Sequence, residues 1–78
     1  MNTQKFIDLL IEYLEIENKS ITVDTQLKSL PEYDSLGIMS IISLVDEYFS
    51  KTLSTQELDK IETIKDLMEL IGKENFTN

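Results

Sequence analysis

Residues 34–49 read Asp34-Ser35-Leu36-Gly37-Ile38-Met39-Ser40-Ile41-Ile42-Ser43-Leu44-Val45-Asp46-Glu47-Tyr48-Phe49. At about 100° per residue, Ile38, Ile41, Ile42, Val45 and Phe49 share one arc of a helix. Ser40, Ser43, Asp46 and Glu47 take the other side. The pattern predicts an amphipathic helix over 35–49. Asp34 suits its N-cap, because a carboxylate there accepts from the free N–H groups of the first turn. Leu36 breaks the pattern: it is apolar, lies on the polar side and follows Ser35 directly. Pure core packing does not call for it.

Upstream, residues 3–16 predict a second amphipathic helix. Phe6, Ile7, Leu9, Leu10, Ile11, Tyr13, Leu14 and Ile16 fill a broad apolar arc opposite Lys5, Asp8, Glu12 and Glu15. A stripe this wide packs against two neighbours. Asn2 or Thr3 can cap its start. Between the two helices, residues 17–34 show no clear period. Links in helical domains usually run about 2–8 residues, so this one is long. Ile21, Val23, Leu27 and Leu30 are placed to pin it to the core, and Pro31 stops a helix from running through.

Downstream, Ser54-Thr55-Gln56-Glu57 is a capping-box pattern and predicts a short helix near 55–60. Thr63-Ile64-Lys65-Asp66 offers a second, weaker cap. Ile64, Leu67, Met68 and Ile71 then repeat at the spacing of a last helix, with Gly72 as its stop. The expected fold is all-α: a small four-helix bundle, three main helices plus one short, with a long first connection. The chain reads as a single domain over 1–78, ordered over about 3–72, with 73–78 expected to fray.

Composition restricts function. The 78 residues hold 15 Asp and Glu against seven Lys, with no Arg, for a net charge of −8. Such a chain repels nucleic-acid phosphate and anionic lipid surfaces, and suits basic protein partners. It has no Cys and no His. Disulfides, thiolate metal sites, cysteine nucleophiles and Ser–His–Asp triads are thereby excluded. No apolar run approaches membrane-span length, and Met1-Asn2-Thr3-Gln4-Lys5 has no signal-peptide pattern. A cytoplasmic monomer is expected. Asp8, Glu12 and Glu15 read as a solvated face, and Asp46-Glu47 belong to no EF-hand loop, so no metal site is expected.

Ser35 is the residue to weigh. Its predicted place, after a loop and a capping Asp, puts a hydroxyl at an exposed corner near the positive end of a helix. Without His it is no triad nucleophile, but another enzyme can modify it. The plainer reading is a serine that merely starts a helix.

Asp34-Ser35-Leu36, the apolar run 38–45 and Asp46-Glu47-Tyr48-Phe49 resemble the centre of the acyl carrier protein family. Ile21-Thr22-Val23-Asp24-Thr25 is similar to that family's loop before its serine. Ile61-Glu62-Thr63-Ile64-Lys65-Asp66-Leu67 is similar to its fourth-helix entry. The resemblance spans the chain from the first helix to about Ile71. It implies that Ser35 receives 4′-phosphopantetheine from coenzyme A, through a phosphopantetheinyl transferase with Mg²⁺. The arm's thiol then carries an acyl group as a thioester, so the chain is a carrier and not an enzyme. Asp34 would shape the corner the transferase reads. Leu36, Gly37, Met39, Ser40, Asp46 and Glu47 would meet partners: the transferase, an acyl- or aminoacyl-loading ligase or transferase, and downstream acyl-using enzymes.

The chain departs from the family pattern. Members serving fatty acid synthesis commonly place acids after Asp-Ser-Leu and along that helix; here those positions are Gly37, Ser40 and Ser43. This points to a specialised carrier with dedicated partners. Many members have Gly two residues before the Asp, where this chain has Glu32, and Tyr33 takes the next position. Gly37 reads as a tolerated glycine, or as one that lets a partner or the arm approach the backbone closely. Met39, Ile42 and Val45 are expected to face the bundle, as core or as a sleeve for the cargo. An aminoacyl carrier, similar to the D-alanyl carrier proteins, is the alternative within the same chemistry. A helical adaptor without cofactor is the alternative outside it.

Overall fold

The structure is a computed structural model that describes residues 1–77. Four helices follow one another: α1 (Thr3–Leu14), α2 (Ser35–Phe49), α3 (Thr55–Lys60) and α4 (Ile64–Ile71). Single 3₁₀ turns sit at Leu27–Ser29 and Lys73–Asn75, and no strand occurs among the described residues. The all-α bundle with its short third helix and long first connection matches the sequence expectation.

Each helix starts where a side chain takes up an orphan N–H group. Asn2 Oδ1 accepts from Lys5 N–H at 2.7 Å, and Asp34 Oδ1 from Gly37 N–H at 2.9 Å. Ser54 with Glu57, and Thr63 with Asp66, form reciprocal capping boxes. The helix ends are less legible. α1 stops at Leu14, two residues short of the predicted limit, because Glu15 turns left-handed at φ 55°. The reversal lets Ile16 N–H reach the Ile11 carbonyl at 3.0 Å and buries the Ile16 side chain. Ser50 ends α2 in the same way at φ 54°. Neither is a glycine, so no residue type announces the stop.

Lysines cover carbonyls at or just beyond helix ends. Lys19 Nζ donates to the Ile16 carbonyl (3.2 Å), Lys28 Nζ to Asp59 (2.8 Å), and Lys51 Nζ to Leu70 (3.1 Å) and Ile71 (3.2 Å). A cation near exposed carbonyls at a helix C-terminus is favourable. The lysines so used do not pair with acids. Among the described residues only Lys73 and Glu69 form an ion pair, an exposed one at 3.9 Å.

The long connection is held at both its apolar and polar groups. Ile21, Leu27 and Leu30 are buried and Val23 is half-buried. Its carbonyls at Val23 and Thr25 accept from Lys65 N–H (2.8 Å) and Ile64 N–H (3.2 Å), while Leu27 N–H donates to Glu62 (2.8 Å). The loop therefore serves the entry of α4, whose first-turn N–H groups have no intrahelical acceptor.

The core centres on Phe6, Leu10, Ile41, Leu44, Leu58, Ile64, Leu67 and Ile71. Leu44, outside the arc read from α2's period, is fully buried, whereas Ile38 and Ile42 are half-buried. The chain end differs from the frayed segment expected. Phe76 packs edge-on against Phe6 (5.1 Å) and tilted against Phe49 (5.3 Å). The Met1 ammonium donates to the Asn75 carbonyl (3.0 Å), and Thr77 N–H to the Met1 carbonyl (2.9 Å). An aromatic ring shortly past Gly72's turn gives this segment apolar surface to bury. Asn78, part of the stretch expected to fray, lies outside the described residues.

The capping box of α4 gives a pH prediction. Asp66 accepts from the backbone N–H groups of Thr63 (3.1 Å) and Glu62 (3.0 Å), which lowers its carboxyl below the ordinary 3.8. A group with a lowered folded value stabilises the fold above its unfolded value and loses that contribution as pH falls through the folded one. Asp66→Asn keeps an acceptor but no charge. Its melting temperature is expected to lie below that of the unsubstituted chain at neutral pH. The gap should narrow as pH drops below about 3.8. A gap that persists unchanged at acid pH would refute the charge-based account.

Candidate functional site

Ser35 is the first residue of α2 and is exposed. Its corner is set by contacts from three sides. Asp34 caps the helix through Oδ1, and its carbonyl accepts from Ile38 N–H at 2.8 Å. Tyr33 donates its hydroxyl to the Leu58 carbonyl at 2.8 Å, which ties the corner to α3. Burial raises the Tyr33 hydroxyl above its ordinary value, with a contribution from the Asp59 carboxylate, so it stays a donor. Glu32 Oε2 accepts from Glu17 N–H at 3.3 Å, a link to the exit of α1.

Leu36 is 78% exposed and Met39 61% exposed. Leu36 thus stands out from the helix as its position among polar residues requires. Met39 is a correction: expected to face the bundle, it lies one turn after Leu36 on the outer surface. Ile42 and Val45 do face inward, half-buried and buried. Ser40 is half-buried; Asp46 and Glu47 are exposed at the far end of the same helix.

Gly37 is buried in the first turn of α2 and borders the groove beside Leu36 and Met39. The Glu32 backbone carbonyl covers it: a Cβ at position 37 would overlap that oxygen and come within 3.1 Å of its carbon. The reading of Gly37 as a merely tolerated glycine fails, and what approaches its backbone is the chain's own Glu32 carbonyl, which neither sequence reading foresaw.

An open groove of about 690 Å³ runs beside this corner between the end of α1 and the face of α2. Leu36, Met39, Ser40 and Ser43 form its α2 wall; Glu15, Glu17 and Glu32 lie across from them. No lysine lines it. Reading α2 by itself, the sequence suggests that acidic charge is depleted around Ser35. Tertiary structure restores carboxylates from α1's exit and the loop. For Glu15 and Glu17, sequence distance from Ser35 conceals this. At its far end, Tyr13 donates to Glu47 and meets Tyr48 edge-on at 6.3 Å. That carboxylate acceptor holds the Tyr13 hydroxyl well above the ordinary tyrosine range.

No group of three or more metal-ligating side chains occurs among the described residues, and no helix there is long and apolar enough to cross a membrane.

The family described as "Phosphopantetheine attachment site" matches residues 4–71. Among curated proteins, the acyl carrier protein of Phytoplasma mali (strain AT) is 29% identical over 68 residues, 87% of this chain and 81% of that protein. The acyl carrier protein of Treponema pallidum (strain Nichols) is 30% identical over 63 residues, 81% of each. That of Coprothermobacter proteolyticus is 26% identical over 74 residues, 95% of this chain and 90% of its own. No solved structure gives a significant match. The chain belongs to the phosphopantetheine-attachment family of acyl carrier proteins. The cofactor is a covalently attached 4′-phosphopantetheine.

Proposed function

We propose that Ser35 bears the phosphopantetheine arm and that this carrier presents its acyl thioester to a dedicated set of partners outside housekeeping fatty acid elongation. The observation that carries the attachment reading is the corner itself. Ser35 is exposed at the first position of a capped helix, and the N–H groups of Ser35 and Leu36 have no intrachain acceptor among the described residues. A phosphodiester there meets free donors and the positive end of α2. The Asp34 carboxylate beside Ser35 lies within the screening length of about 8–10 Å and opposes that charge, but it is engaged by the Gly37 N–H at 2.9 Å. The arm's thiol supplies the sulfur that a chain without Cys lacks.

The specialised reading rests on where charge lies. α2 offers a partner Leu36, Met39, Ser40 and Ser43, and its acids begin only at Asp46. A basic partner would find its carboxylates on the α1 side of the groove instead. Charge placement governs orientation and on-rate, so a partner fitted to an acidic α2 face would dock poorly.

The test is intact mass before and after incubation with coenzyme A, Mg²⁺ and a promiscuous phosphopantetheinyl transferase. One added phosphopantetheine, absent in Ser35→Ala, is expected. No gain with several transferases would leave the cofactor-free adaptor reading and reduce Ser35 to a helix start. Efficient use of the loaded chain by housekeeping elongation enzymes would overturn the specialised reading.

The groove favours one second reading. Its carboxylates suit a cargo with a free ammonium group, as in an aminoacyl carrier. Loading by an aminoacyl ligase in preference to a fatty-acyl ligase would select it.

A further inference from the structure

We propose that Gly37 is a positioning residue for Ser35, acting through the Glu32 carbonyl. This rests on the reading that Ser35 takes the arm. Residues 32–37 form an arc that closes on itself. Its two ends meet where the Glu32 carbonyl lies against Gly37, and from within the arc the Asp34 carboxylate takes the Gly37 N–H at 2.9 Å. Because the two ends touch, Asp34, Ser35 and Leu36 are pushed outward as the apex, and all three are exposed. A Cβ at position 37 cannot share the space of the carbonyl oxygen. The obstacle is backbone, which Tyr33 fixes through its N–H to Leu30 (3.0 Å) and its hydroxyl to Leu58 (2.8 Å). No flexible side chain can swing aside to make room. Any larger residue at 37 therefore opens the arc and re-aims the Ser35 hydroxyl.

Re-aiming acts on the chemical step. A transferase can still grip Leu36 and the outer face of α2, but the hydroxyl no longer meets the phosphorus it attacks. A misplacement near 1 Å costs up to about a hundredfold in rate. In the reaction the Ser35 oxygen forms a bond to the β-phosphorus of coenzyme A. The phosphoanhydride bond breaks, 3′,5′-ADP leaves, and the serine proton passes to the transferase or solvent.

The experiment compares kcat and KM for phosphopantetheine transfer onto the full chain and onto Gly37→Ala, Glu32→Gly and the double variant, with folding checked by circular dichroism. Glu32→Gly gives the obstructing peptide the freedom to turn away. Gly37→Ala is expected to lower kcat about ten- to hundredfold with KM within about threefold. Glu32→Gly should lower kcat slightly, because the arc loosens. The double variant should recover to the Glu32→Gly level, a non-additivity that marks direct coupling. Wild-type kcat for Gly37→Ala, or losses that simply add, would overturn the proposal. If Gly37→Ala fails to fold, the decision passes to Glu32→Gly: a reduced kcat at unchanged KM supports the proposal, and an unchanged kcat overturns it. Absence of any mass gain in the unsubstituted chain would refute the Ser35 reading itself, a different outcome from these.

Discussion

Phe6→Ala is expected to destabilise the domain by about 3–5 kcal/mol, the range for removing a buried aromatic ring. Phe6 is completely buried and meets two other rings edge-on, Phe49 at 6.1 Å and Phe76 at 5.1 Å. These rings come from three places: the first turns of α1, the last residue of α2 and the segment after α4. Truncating Phe6 removes the one ring that both others share an edge contact with. It also leaves a cavity that three separate elements would have to move to fill. A domain of this size has a total stability of only about 4–12 kcal/mol. Each kcal/mol shifts the melting temperature by about 4–8 °C. The melting temperature followed by circular dichroism should therefore drop by at least about 12 °C. A drop under about 5 °C would mean that the rings repack without Phe6.

Leu36→Ala is expected to do the opposite: leave stability alone and damage docking. With 78% of its surface exposed, Leu36 contributes little to the core. Its loss should change stability by no more than about 0.5 kcal/mol. If a transferase buries this side chain on docking, the contact is worth about 1.5–3 kcal/mol. That corresponds to a rise in KM of about ten- to a hundredfold. Because the contact exists before and during the reaction, kcat should stay close to its original value. An unchanged KM would make Leu36 one of the scattered exposed leucines that any protein carries. The contrast with Gly37→Ala separates the two residues, since one governs how tightly the corner is held and the other how the hydroxyl points.

Stretches that carry a local signal are legible in the amino-acid order alone. The period of α2 and its Asp34 cap, the Ser54–Glu57 and Thr63–Asp66 boxes, and the spacing of α4 appear at their predicted places. So does Leu36 as an outlier on a polar face. The period of α2 leaves Met39 about 100° from the centre of the apolar arc; the expectation that it faces the bundle is what fails. The packing of α1 leaves that part of α2 uncovered. Leu44 escapes the pattern for the converse reason, since α2 packs against α3 as well as α1 and buries more than a single stripe implies.

The sequence by itself determined the helices, their starts, the acidic balance and the serine that opens α2. These depend on contacts within a few residues or on composition alone. Only the tertiary structure decided the rest. It placed Glu15, Glu17 and Glu32 across the groove from α2, brought Phe76 onto Phe6, and laid the Glu32 carbonyl on Gly37. Each of these joins groups through a chain reversal. Where reversals such as those at Glu15 and Ser50 put a residue other than glycine at positive φ, their direction is set by what the packed core can bury.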